Sequence, residues 1–304
     1  GNHDLENEMA LAFEGDATRP VETVTIEEFE EIYKDYGYGK DDPDVVSRDK
    51  KSLNYVYQLG NKCHLIMVET STKGNDQTIS NSSYRWIEKW LRKAKDMNMR
   101  VIGVSHQNIL AHNKLFIAGY KITNSSRLVD LYNKYNVRIN LSGHMHIQHM
   151  AEHKRVHDIA LACLGLYPNL YGVLDMDLRN NMTYHTESLD VAYWMKKYKH
   201  QDSDLLDFEN TSREYFVRCT RLQTEKQLAK LDLSKEDKEM MMDFMVDTNI
   251  HYFSGSLDKR PDLSLDNPAY RLWMDHCERT FTGSYLNSIY TDTISDHNRL
   301  EIFQ

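Results

Sequence analysis

The chain has 304 residues, a net charge of −9 from 37 basic and 46 acidic side chains, and 40% hydrophobic content. At ~150 residues per domain this is one large domain or two, with enough chain for a sizeable core, and the composition excludes a disordered or collagen-like protein. No apolar run reaches the ~18–20 residues of a membrane span, since even Val156–Leu166 is interrupted by charge, and a net negative chain without a Lys/Arg cluster is a poor scaffold for extended nucleic-acid binding.

In chain order, Leu5–Asp49 is polar and acidic, with helical spacing at Ile26, Phe29, Ile32 and Tyr33. Two strand-like runs follow, Ser52–Leu59 and Cys63–Glu69, joined by a turn at Gly60-Asn61. Alternation of Leu53, Tyr55 and Tyr57 predicts a half-buried face. Ser82 or Ser83 is placed to cap a helix whose Ile87, Trp90, Leu91 and Ala94 recur at i, i+3, i+4 and i+7. The run Val101–Val104 reads as a buried strand ending just before His106, and the succession then repeats. Leu128, Leu131, Tyr132 and Tyr135 mark a second helix, Arg138–Leu141 a strand, and Ser142-Gly143-His144-Met145-His146 follows it. Chemistry-bearing residues after alternating strands and helices are expected at the carboxyl edge of an α/β sheet.

Ile159–Leu164 and Gly172–Asp177 read as further strands, and Asn180-Asn181 turns the chain into Met182–Glu187. From about Tyr198 the strand signal ends. Helices are predicted over Thr211–Lys230, Ser234–Tyr252 and Asn267–Leu286, with Ser234 as a cap, Pro268 in the first turn of the last, and a loop at Ser254-Gly255-Ser256 and Arg260-Pro261. Met240, Met241, Met242, Phe244 and Met245 read as helix core. Cys63, Cys163, Cys219 and Cys277 have no CxxC spacing and read as isolated thiols, which leans toward a reducing compartment.

His144 and His146, two apart, would point to the same side of an extended segment, with Gly143 allowing a tight turn before them. His149, His153 and His157 nearby leave room for a chance cluster. Taken in order, Gly1-Asn2-His3-Asp4, then Gly103-Val104-Ser105-His106, then Ser142-Gly143-His144-Met145-His146 resemble the calcineurin-like metallophosphoesterase superfamily, whose later motifs read GNH[DE], a strand-end His, and GHxH. Within it the chain is most similar to bacterial cyclic-nucleotide-phosphodiesterase-like proteins. That narrower likeness rests on the runs Gly119–Ile122 and Ser142–Gln148, the Tyr167-Pro168 segment before Tyr171-Gly172, and the helical C-terminal region.

The resemblance implies an α/β (α+β sandwich) fold with a two-sheet core flanked by helices, a phosphoesterase domain over residues 1–197 and a helical domain over 198–304. It implies two divalent ions (Mn, Fe or Zn) acting on a small phosphorylated substrate. Asn2, His106 and His144 would bind the second ion and His146 the first. His3 would face the scissile phosphate as a charge stabiliser or acid, with Asp4 fixing its tautomer or capping the next segment. Gln107-Asn108 stand where many members carry His-Pro, and could contact a phosphate or ribose oxygen or form a polar loop. Tyr33, Tyr36, Tyr38, Tyr120 and Tyr167 are candidates for stacking on a base among 19 tyrosines.

The family's DxH and GDxxD motifs, which complete the first ion's site and bridge the pair, are absent from the sequence: Gly15-Asp16, Asp275-His276 and Asp296-His297 do not replace them. With Gly at position 1 and no leader, the chain is expected to be part of a longer protein. Activity of the chain alone is then expected to be impaired, and the exposed sheet edge to be covered by a homo-oligomer. The leading expectation is phosphodiester hydrolysis. Phosphomonoesterase or nucleotide pyrophosphatase activity is the alternative within enzymes, and an inactive binding or assembly module the alternative outside them.

Overall fold

A computed structural model describes residues 1–7, 9–71, 77–179, 181–260, 264–292 and 295–303, with Asn180 and Pro261 of the expected turn and loop outside the described residues. The chain divides into two compact units. The first comprises residues 1–112, 116–144 and 150–159, and the second residues 113–115, 145–149 and 160–304.

The first unit opens with a two-stranded hairpin, β1 (Leu11–Glu14) and β2 (Ala17–Pro20), then α1 (Ile26–Ile32). Thr25 caps α1 reciprocally with Glu28, which satisfies two otherwise orphaned amides. Next come β3 (Val45–Arg48), β4 (Tyr55–Leu59), β5 (Cys63–Val68), α2 (Asn81–Asp96), β6 (Arg100–Ser105), α3 (Ser126–Tyr135), β7 (Ile139–Ser142), β8 (His149–His153) and β9 (Val156–Ala160). These strands form a seven-stranded sheet in the order β3-β4-β5-β6-β7-β9-β8. β3, β4 and β5 pair antiparallel, whereas β5-β6 and β6-β7 pair parallel, so the fold is mixed α/β with helices flanking the sheet. The helical crossovers α2 and α3 are what parallel neighbours require.

The apolar face of α2 is the one its spacing predicts: Ile87, Trp90, Leu91 and Ala94 pack with Val56, Ile66, Leu128 and Tyr132 in one core. Its cap is Ser80, whose hydroxyl accepts from the Ser83 amide, two residues before Ser82 and three before Ser83, the serines expected from sequence. On β4 the buried side chain is Val56, while Tyr55 and Tyr57 are half-buried on the opposite face. The expected strand at Ile159–Leu164 begins earlier and ends at Ala160.

In the second unit β10 (Leu170–Met176), β11 (Met182–Ser188) and β12 (Arg299–Ile302) form an antiparallel sheet. Between β11 and β12 run α4 (Val191–Tyr198), α5 (Ser203–Leu206), α6 (Phe208–Leu228), α7 (Lys235–Phe253), α8 (Pro268–Cys277) and α9 (Phe281–Tyr290). Ser234 caps α7 and Pro268 opens α8, as the sequence predicts. The single last helix expected over Asn267–Leu286 is two, because Thr280 accepts from the Gly283 amide and starts a new helix. The C-terminal region is also not wholly helical, since β12 returns to pair with β11. Met241, Phe244 and Met245 are buried in the helical core, while Met240 is exposed.

Trp273 is the largest fully buried side chain, and its indole donates to the Met241 carbonyl at 2.9 Å. Trp273→Ala should remove both the packing and that donor. It should lower unfolding stability by about 3–5 kcal/mol, read by chemical denaturation.

Candidate metal site at the sheet edge

β6 and β7 are parallel neighbours, so their C-terminal ends deliver two loops to the same edge. His106 directly follows β6, and Gly143-His144 follow β7; the Gly143 amide donates to the His106 carbonyl at 2.9 Å. Asn2 arrives from the start of the chain. Its Oδ1 lies 2.7 Å from His106 Nε2 and 3.1 Å from His144 Nδ1, and the two ring nitrogens lie 3.1 Å apart. One amide oxygen and two imidazole nitrogens therefore meet on a triangle with edges of 2.7–3.1 Å.

Gly1 is part of how Asn2 arrives. A Cβ at that position would sit 2.6 Å from His106 Cε1, so only glycine lets the backbone lie against the imidazole. Tyr120 covers the other side, its ring 5.0 Å from that of His144. His144 and His146 do not lie on an extended segment as expected: their φ values are +68° and +57°, both left-handed. Such a conformation costs a non-glycine residue about 1–2 kcal/mol, so the alternation argument that put both rings on one side does not apply. His144 joins the triangle, whereas His146 is exposed and belongs to the second unit.

His3 is exposed, with Nδ1 3.3 Å from the Asn7 amide nitrogen. Asp4 is exposed, with its carboxylate against the Gly1 nitrogen. Gln107 and Asn108 are buried braces and do not line an open cleft. Gln107 Oε1 accepts from the Thr70 and Ser71 hydroxyls at 2.6 and 3.1 Å, and Asn108 Nδ2 donates to Ser142 Oγ at 2.7 Å.

Behind the triangle lies a carboxylate that motif reading overlooks. Asp158, on β9, has a fully buried side chain. Its Oδ2 accepts from the Ile109 and Leu110 amides at 2.7 and 2.9 Å and lies 3.2 Å from His112 Nε2. Its Oδ1 accepts from Asn140 Nδ2 and Ser142 Oγ, each at 2.9 Å. Burial alone would raise its pKa, but His112 and the amide and side-chain donors outweigh that and hold the carboxyl below its ordinary value. Asp158 thereby ties the loop after His106 to the strand end before His144. A signal did exist: on a strand, Asp158 shares a face with Val156 and Ala160, and a lone carboxylate on an apolar face demands partners.

Among the described residues no group of three or more His, Cys, Asp and Glu side chains could hold a metal ion. The triangle reaches three donors only by including an amide. Its edges nonetheless match the ~3 Å between neighbouring donors around an ion with bonds of ~2.0–2.1 Å. Imidazole nitrogen with a carbonyl-type oxygen also suits a divalent transition ion.

Residues 190–296 match the family model for the C-terminal domain of cyclic nucleotide phosphodiesterase. No curated protein matches the chain. Among solved structures it is similar to a dimetal phosphatase from Danio rerio, at 10% identity and TM-score 0.38 over 45% of this chain and 58% of that one. It is similar to GAP50, the anchor in the inner membrane complex of Plasmodium, at 15% identity and TM-score 0.29 over 44% of this chain and 45% of that one. A protein assigned as a 5'-nucleotidase from Staphylococcus aureus aligns at 16% identity and TM-score 0.28 over 44% of this chain and 28% of that one. The chain thus spans less than two thirds of each of these proteins.

Asp158→Asn turns an acceptor into a donor facing donors, and should lower stability at pH 7 by about 3–5 kcal/mol. Because the folded-state pKa is depressed, the stabilisation is complete above the unfolded value of ~3.9 and is lost as pH falls through the folded value. Denaturation at several pH values should show a gap between wild type and variant that is constant from pH 5 to 7 and closes below about pH 4.

Proposed function

We propose that the chain is a phosphoesterase of metallophosphoesterase type, acting on a phosphodiester of cyclic-nucleotide kind. The observation that carries this reading is the triangle of Asn2 Oδ1, His106 Nε2 and His144 Nδ1 with its 2.7–3.1 Å edges. Three such donors with no charge of their own fit one divalent ion, Mn, Fe or Zn. A divalent ion held by Asn2, His106 and His144 would supply Lewis-acid chemistry toward a phosphoryl oxygen and a bound water. The match of residues 190–296 to a cyclic-nucleotide-phosphodiesterase domain supports the substrate class.

The residues divide the work. Asn2, His106 and His144 hold the ion. His146 is the ligand for a second ion, the first of the family pair, whose remaining ligands have no counterpart in this sequence. His3, exposed and next to Asn2 in sequence, would deliver a proton to the leaving oxygen. Asp4 would fix the tautomer of His3. Association of copies belongs to the same reading: β10 ends its sheet, with no strand on its outer side among the described residues.

Phosphomonoester and nucleotide pyrophosphate hydrolysis would use the same site, and an inactive binding module would keep the ion and lose turnover. The test pairs metal binding with hydrolysis. Mn²⁺ binding by equilibrium dialysis should fall about 100-fold or more in His106→Ala and His144→Ala. Hydrolysis of bis(p-nitrophenyl) phosphate should require Mn²⁺ and exceed that of p-nitrophenyl phosphate. Mn²⁺ binding unchanged by both substitutions would remove the reading, and ion binding without turnover of either ester would favour the binding module.

A further inference from the structure

A different chemistry lies in the second unit, on α4. This helix of eight residues has one buried side chain, Met195. On its open surface Tyr193 is 60%, Trp194 44% and Tyr198 56% exposed. The three other tryptophans, Trp86, Trp90 and Trp273, are buried or half-buried. Burying an aromatic ring is favourable, so three rings left in water along one short helix mark a surface that a partner covers.

Lysines are interleaved with these rings. Lys196 and Lys197 are exposed on the helix, and Lys199 follows as its left-handed cap at φ +57°. Lys197 Nζ lies 5.7 Å from the centre of the Tyr193 ring and 5.5 Å from that of Tyr198, and Trp194 stacks on His200 at 4.5 Å. Among the described residues none of the three ammonium groups pairs with a carboxylate. The acidic groups flanking them in sequence are turned to helix starts. Asp190 Oδ1 accepts from the Tyr193 amide at 2.7 Å, and Asp202 Oδ1 from the Leu205 amide at 3.3 Å. In a chain of net charge −9 this is a local cationic patch.

Shape and charge select the partner. A helix that buries one side chain presents a ridge rather than a cleft, which suits a flat surface. Its eight residues span about 12 Å, too short to follow a nucleic-acid strand through the several phosphate contacts that affinity requires. The chain's net negative charge offers such a strand no continuation. An anionic bilayer instead brings many headgroups to one small patch. At about 3.6 residues per turn the exposed arc of α4 runs Lys196, Tyr193, Lys197, Trp194, Tyr198. Rings and cations alternate, so no continuous apolar face enters the hydrocarbon. That alternation fits the headgroup layer, where Trp and Tyr rings settle and lysine stems lie alongside with their ammonium groups at phosphates.

We infer that α4 docks the protein on an anionic lipid surface, with Tyr193, Trp194 and Tyr198 at headgroup depth and Lys196, Lys197 and Lys199 against the phosphates. Rings and cations are two signals that together hold a protein at a membrane where one alone binds marginally. The inference is independent of the proposed ion site. The tyrosines considered from sequence lie elsewhere: Tyr33, Tyr36 and Tyr38 line a cavity with His106, Tyr120 packs on His144, and Tyr167 lies 6.3 Å from Phe216.

The experiment is flotation of the whole chain with vesicles of phosphatidylcholine, alone or mixed in equal parts with phosphatidylserine. The mixed vesicles should carry the chain and release it at high salt, whereas phosphatidylcholine alone should bind about a hundredfold more weakly. Lys196→Gln, Lys197→Gln and Lys199→Gln together should weaken binding about a hundredfold, at about fivefold per lysine. Trp194→Ala should weaken it about tenfold. Trp194→Phe should keep it while removing the blue shift of tryptophan emission that the mixed vesicles induce. These side chains are exposed, so each variant should melt close to wild type, and Mn²⁺ binding should be unchanged in all of them. Binding to neither vesicle, or binding indifferent to the three lysines and to Trp194, would overturn the inference. Equal binding to both vesicles would overturn it too, since the cations would then have no part. Capture of oligothymidylate in place of the vesicles would overturn it in favour of single-stranded nucleic acid.

Discussion

A carboxylate taken out of water must be met by donors, and at Asp158 the donors come from the loop after β6 and the end of β7. These are the two places from which His106 and His144 project. Parallel pairing of β6 with β7 brings the loops to one edge, but pairing alone sets their positions only to within loop freedom. Asp158 removes that freedom: the Ile109 and Leu110 amides, the Ser142 hydroxyl and Asn140 share one carboxylate, and Asn140 continues to Ser105 at 3.1 Å. Buried hydrogen bonds of this sort stiffen the elements they join, although Asn140 Oδ1 and Asn108 Oδ1 are left without a partner among the described residues. The 2.7–3.1 Å triangle is the visible result on the solvent side.

The same rigidity makes a strained histidine tolerable. His144 sits at φ +68°, and its neighbours Gly143 and Tyr120 fix it there, one by a hydrogen bond from its backbone N–H to the His106 carbonyl and the other by ring contact. Non-glycine residues in this region persist where the surroundings over-determine them, and such positions concentrate at functional sites. The chain's net charge of −9 gives no general attraction for phosphate. On the proposed reading, a phosphoester at this edge would be drawn by a local cation held by Asn2, His106 and His144.

Much of the fold was legible because its signals are local. Heptad-like spacing marked α2 and α3, and Ser234 and Pro268 marked helix starts, since caps and first turns are decided by a few adjacent residues. What was not legible depends on partners far along the chain. β12 has four residues and exists because β11 is there to pair with it. The break before α9 turns on Thr280 capping a new helix inside an otherwise continuous pattern. At the site, motif order brought Asn2, His106 and His144 into view, but the left-handed backbone at His144 and His146 and the pairing of Asp4 with Gly1 did not follow from spacing. Gln107 and Asn108 looked available for a ligand because polarity in a loop does not reveal burial, and both are braces beneath the site. Asp158 escapes motif reading for the opposite reason: its partners Ile109, Leu110, Asn140 and Ser142 are far from it in sequence.

The central claim is that Asn2, His106 and His144 are the ligands of one divalent ion. The most direct measurement is anomalous X-ray scattering from crystals of the protein grown with Mn²⁺. The account predicts a single strong peak about 2.0–2.3 Å from Asn2 Oδ1, His106 Nε2 and His144 Nδ1. A protein that takes up Mn²⁺ elsewhere, or keeps the three side chains in contact with no peak between them at saturating Mn²⁺, would contradict it.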